Sequence, residues 1–215
     1  MSFLNQLKTQ AKSLQTQQER DFSDLDRKTA EAQRACDLTL YYLRELSGQL
    51  NVISPPAPKF TLDGKTPWPA MKFVDFRVDS RKKMLRDKEV FDSISMGWRV
   101  VPQIGNPVGG CVKVNFPPDL QRVESRLGMG PVKHERKELR DPATNKLLAL
   151  QFDYVTETRG SLMITPDHDK GEIAFRIMNA TGLEILNTAY PAAMVKHDVL
   201  DELAKLIVSQ PHRFL

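Results

Sequence analysis

The sequence is short of the residues that build disulfide frameworks and metal sites. Only 2 of its 215 residues are cysteine, Cys36 in a helical pattern and Cys111 in a strand pattern. They form no Cys-x-x-Cys pair, which argues against a secreted disulfide scaffold and against a thiolate metal or redox site. Long apolar runs are missing too. No stretch of about 18 apolar residues occurs, so no membrane-spanning helix is expected. Met1-Ser2-Phe3-Leu4 passes at once into Asn, Gln and Lys, leaving no apolar signal-peptide region. A cytoplasmic protein is the expectation. Gly105, Gly109 and Gly110 match neither G-x-G-x-x-G nor a Walker sequence, which argues against a nucleotide cradle.

A catalytic constellation is also lacking. His134, His197 and His212 stand alone, and a nucleophile needs both a base within reach and a group that orients it. Asp167-His168-Asp169 follows Ile164-Thr165-Pro166 in what reads as a hairpin tip. Neighbouring residues in a tip seldom converge on one ion, so these are read as turn residues. No catalytic residue, metal or cofactor is assigned, and the reading leans away from an enzyme.

What is present begins with helix. Residues 2–50 carry no proline and no glycine before Gly48, and are rich in Gln, Leu, Ala, Lys and Glu. Leu4, Leu7, Ala11 and Leu14 form one narrow stripe. A second runs Phe22, Leu25, Thr29, Ala32, Cys36, Thr39, Leu43, Leu46 and Leu50. A four-four step through Gln18 joins them, a stutter in coiled-coil terms. The polar run from Gln15 to Ser23 suggests either a break and a helical hairpin, or a projecting helix that seeks a partner. Ala35 to Leu50 is apolar nearly all round and is expected to cover a sheet.

Pro55, Pro56 and Pro58 mark a linker, after which the pattern changes to period two. Val74, Phe76 and Val78 alternate, then Ile94, Met96, Trp98 and Val100, then Val112, Val114 and Phe116. Gln103–Gly110 reads as the hairpin loop between the last two. Leu147 to Thr188 reads as four strands of an antiparallel meander, with Leu148, Leu150, Phe152 and Tyr154 on one face. Val132–Arg140 carries charge on both faces, as an edge strand does. Pro117–Leu127 opens as a helix, and a closing helix presents Val199, Leu200, Leu203, Leu206 and Ile207. The expected fold is α+β: a twisted antiparallel sheet of about six to eight strands with helices on one face, preceded by a long N-terminal helical segment. Residues 1–50 are the helical segment and 51–215 the sheet domain. Trp68, Trp98, Phe73, Phe76, Tyr154 and Phe175 are read as core.

The net charge of +4 is unevenly placed. Residues 51–130 carry thirteen basic against eight acidic residues, and Arg77–Lys88 alone six against two. Arg81, Lys82, Lys83, Arg86 and Lys88 are therefore the candidate anion-binding residues, on a solvated connection between strands. Leu4, Leu7, Ala11 and Leu14 are the candidate self-association stripe. Three functions follow. The first is a non-enzymatic interaction protein that associates with itself or another protein through the N-terminal helix. The second is anion or nucleic-acid binding through the basic stretch 77–88. The third is a small-ligand carrier or enzyme with a pocket in the curved sheet.

Overall fold

The computed structural model describes residues 3–215, apart from the side chains of Leu4, Gln6, Thr9, Ser13, Thr16, Gln18 and Glu19. Helix α1 is continuous from Phe3 to Ile53, about 77 Å at 1.5 Å per residue. It does not break between Gln15 and Ser23, where no glycine or proline interrupts it. It ends where Ser54 turns left-handed, its N–H reaching Leu50 O, and two prolines follow.

Eight strands follow: β1 (Met71–Leu85), β2 (Lys88–Pro102), β3 (Gly109–Val114), β4 (His134–Arg140), β5 (Leu147–Val155), β6 (Thr158–Asp167), β7 (Glu172–Met178) and β8 (Ile185–Pro191). Helix α2 (Pro117–Met129) lies between β3 and β4, and α3 (His197–Ile207) follows β8. The mixed helix and antiparallel-sheet class is as expected. The single sheet of six to eight strands is not: the strands divide into a five-stranded sheet, β1-β2-β6-β7-β8, and a three-stranded sheet, β3-β5-β4. The meander expected from Leu147 breaks at the same point, because β5 pairs with β3 and β4 while β6 pairs with β2 and β7. Gln103–Gly110 is not a hairpin loop but the crossing from one sheet to the other. Alternation tells which face a residue occupies. It does not tell which strand lies alongside, and β5 alternates just as β7 does.

Helix α1 covers one face of the large sheet. Thr29, Ala32, Cys36, Thr39, Leu43 and Leu50 are buried there with Ile94, Met96, Leu162 and Ile164. The stripe spacing explains this, since residues three and four apart share a helix face. Helix α3 lies beside α1, where Tyr42 Oη donates to Asp201 at 2.7 Å. Phe214 closes the edge against Phe175 and Tyr190. In the small sheet, Val112, Val114, Leu150, Phe152 and Tyr154 are buried together with Val123 and Leu127 of α2. Trp68 stacks between Phe60 and Tyr154. All six aromatic residues read as core are buried.

Strand β1 contains a bulge. Asp75 adopts φ 58°, and the register shifts between Val74 and Arg77. The extra residue turns both Phe73 and Phe76 inward onto Trp98, so simple alternation through Val74, Phe76 and Val78 is broken. A bulge leaves backbone groups unpaired, and Asn51 of α1 supplies the partner. Its Nδ2 donates to Phe76 O at 2.9 Å, and its Oδ1 accepts the Phe76 N–H at 2.7 Å. Asn51→Ala strips both bonds from a part-buried backbone. The expected loss, measured by urea unfolding, is about 1–3 kcal/mol. A change within about 0.5 kcal/mol, the range of ordinary surface substitutions, would mean that water replaces the clamp.

Candidate functional site

The first surface to consider is the N-terminal half of α1. Fully buried positions on the helix begin at Thr29; Leu25, one turn earlier, is part-buried, and the described residues of the same face before it are exposed. Leu7 is 45% exposed, Leu14 59% and Phe22 66%, and Ala11 is exposed as well. Leu4 lies outside the residues whose side chains are described. At 100° per residue, Leu7, Ala11, Leu14, Phe22 and Leu25 fall on the line that continues through Thr29, Ala32 and Cys36. One apolar seam therefore runs the length of α1, with the sheet filling its C-terminal half and, among the described residues, none covering Leu7, Ala11, Leu14 or Phe22. About twenty residues of helix project with this seam bare. An isolated helix of that length is marginal in water, because nucleation is unfavourable and each added residue gains little.

The second surface is the basic stretch. It is not a loop but the far end of the β1–β2 hairpin, closed by Arg86 and Asp87, both at positive φ, as a type I′ turn requires. Four of the five proposed anion-binding residues meet carboxylates. Lys82 pairs with Glu89 at 2.9 Å and Lys83 with Asp92 at 3.0 Å. Arg86 pairs with Asp169 at 2.9 Å and also donates to Thr29 Oγ1, and Lys88 pairs with Asp26 at 3.0 Å. Arg86 and Lys88 thereby tie the hairpin to α1 and to the β6–β7 turn. Arg81 has no ion pair among the described residues. The positive run in the sequence is thus largely neutralised by acidic residues from three separate segments, β2, α1 and the β6–β7 turn.

The other polar candidates have structural partners. Asp167 caps its own turn by accepting the Asp169 and Lys170 N–H groups, which lowers its pKa. His168 is buried, with Nε2 2.8 Å from Phe91 O. His134 Nδ1 lies against Val132 O, His197 meets Tyr42 edge-on, and His212 Nδ1 accepts the Phe214 N–H. Among the described residues, no three His, Cys, Asp or Glu side chains gather as a metal site requires. Burial pushes the Cys36 thiol up to about 12. Cys111 is exposed at an open depression of about 580 Å³ that Asp153 and Glu135 also border. Desolvation and the Asp153 carboxylate raise its pKa too, so neither thiol is poised as a nucleophile.

The third surface is foreshadowed in the sequence only by Arg77, the first residue of the basic stretch 77–88. It is the open face of the large sheet, opposite α1, where Arg77, Arg99 and Arg159 border a groove of about 570 Å³. These arginines come from three distant segments, and only the pairing of β1, β2 and β6 brings them together. Arg99 is held by Asp75 at 3.0 Å and Glu157 at 2.6 Å. Among the described residues, Arg77 and Arg159 form no ion pair.

No described helix is long and apolar enough to cross a membrane. Comparison with protein-family models, with curated proteins and with solved structures yields no match.

Proposed function

We propose that this chain is an interaction protein that pairs with a second copy of itself through the projecting half of α1. The observation that carries the reading is the single seam on α1, buried on the sheet from Thr29 onward and bare at Leu7, Ala11, Leu14 and Phe22. The seam is narrow, as in a two-helix coil, and Ala11 permits close approach. Charge along the arm is segregated. Residues 3–14 carry Lys8 and Lys12 and no acid, whereas residues 15–26 carry Glu19, Asp21, Asp24 and Asp26 against Arg20, although Asp24 meets Arg27 and Lys28 and Asp26 meets Lys88 within the chain. Two arms side by side in the same direction would set like against like. Two arms running antiparallel set the basic half of each against the acidic half of the other. A two-fold axis near Leu14 would then place Leu7 opposite Phe22 and Lys8 opposite Asp21 of the second copy.

The test uses the whole chain. Light scattering should give a dimer, and Leu7→Lys with Leu14→Lys should give a monomer with an unchanged melting temperature, because both positions lie outside the core. Removal of residues 2–20 should have the same effect. A full-length protein that is monomeric at its highest soluble concentration would end the proposal.

A further inference from the structure

The groove on the open face of the large sheet has three features that bear on what it could hold. The first is a like-charged pair. Arg99 and Arg159 are directly opposite each other on β2 and β6, an arrangement that destabilises a sheet. Asp75 and Glu157 compensate Arg99, but no carboxylate reaches Arg159 among the described residues. The second is Gly97, which faces Arg77 on one side and Ser161 on the other. Its backbone is not left-handed, and a Cβ there would meet only Gly160 O, at 4.0 Å. Neither conformation nor packing demands glycine. A glycine in mid-strand weakens the strand, and one use for it is to let a ligand approach the backbone. The third is the bulge at Asp75, which turns that carboxylate onto Arg99 and fixes its guanidinium at the groove wall. Ser95 and Ser161 keep the rest of the floor low and polar. The remaining acid in the groove, Asp79, accepts the Ser80 N–H.

We propose that this groove binds a small phosphate-bearing anion, with Arg77 and Arg159 as its ligands and Gly97 as the floor, Arg99 being already compensated by Asp75 and Glu157. Guanidinium groups suit phosphate because each offers parallel N–H donors to two oxygens. The groove volume falls in the range of small-molecule sites. Trp98 is the aromatic residue among those that line it, and it is buried and offers no face for base stacking, so recognition rests on the phosphate groups. The inference is independent of the pairing of the arms.

Calorimetric titration of the full-length protein with sodium pyrophosphate, and separately with ADP at matched ionic strength, tests it. Saturable binding of pyrophosphate is expected, and binding of ADP as well would locate the source in nucleotides. Arg77→Gln and Arg159→Gln should each weaken affinity about tenfold or more. Gly97→Leu, which fills the floor from the solvent side, should abolish it, while Lys82→Gln with Lys83→Gln at the hairpin end should leave it unchanged. Arg159→Gln should melt no lower than the native chain, because it relieves the like-charged pair. Absence of binding by both anions, an affinity unaltered in Arg159→Gln, or an equal loss in the hairpin variant would overturn the proposal.

Discussion

Leu203→Ala should lower stability by about 2–5 kcal/mol. Leu203 is 0% exposed, in the middle of the α3 stripe formed with Leu200, Leu206 and Ile207. It belongs to one buried cluster with Leu43 of α1, Phe175 of the sheet and Phe214. The space left by a leucine in such a place cannot collapse easily, so cavity cost adds to the lost transfer energy. Urea denaturation of the full-length variant measures it. A loss below ~0.5 kcal/mol would show that α3 is peripheral and that the core ends at α1.

Gly160→Val should cost about 3 kcal/mol, the upper part of the usual range for overpacking. Gly160 and Trp98 are paired across β6 and β2. The indole lies over the glycine so closely that a Cβ would be 2.1 Å from Trp98 Nε1. The indole cannot swing away, because Phe73 and Phe76 hold its other sides with ring centroids at 5.9 and 5.8 Å. The same device recurs in the small sheet, where Tyr154 covers Gly110 and a Cβ would be 2.3 Å from the ring. Near-ultraviolet circular dichroism should show the displaced tryptophan, and denaturation the lost stability. A variant with native spectrum and stability would mean that the ring has room that its neighbours do not suggest.

Much of the helical part was legible in the sequence because its signals are local. The spacing Thr29, Ala32, Cys36, Thr39, Leu43, Leu50 names the buried face of α1, and Leu200, Leu203, Leu206, Ile207 that of α3. Val132–Arg140 reads correctly as an edge, since β4 borders the small sheet with its charges exposed. What failed was partnership. Leu150, Phe152 and Tyr154 show the inward face of β5 but not that it leaves β6 for β3 and β4. The run Arg81–Lys88 shows positive charge but not that Glu89, Asp92, Asp26 and Asp169 come to meet it. Asp75 gives no sign of a bulge beyond a tolerance for left-handed backbone. Arg77, Arg99 and Arg159 share no local pattern, so the groove they border exists only once strand register is set.

The division into two sheets has a simple origin in chain order. Residues 103–157 leave the large sheet after β2 and return at β6, and these two strands are adjacent and antiparallel, with Val100 opposite Thr158. With that stretch excised, β1, β2, β6, β7 and β8 are a plain five-stranded up-and-down ribbon in sequence order. The small sheet and α2 are thus a module spliced into the tip of a hairpin, entering and leaving through neighbouring points. Closing a hairpin with a folded module rather than a long slack loop spares much of the entropy of ordering that loop. The helix seam, the bulge clamp and the three arginines all belong to the host, and the module reaches back to it through Glu157 on Arg99 and Tyr154 on Trp68.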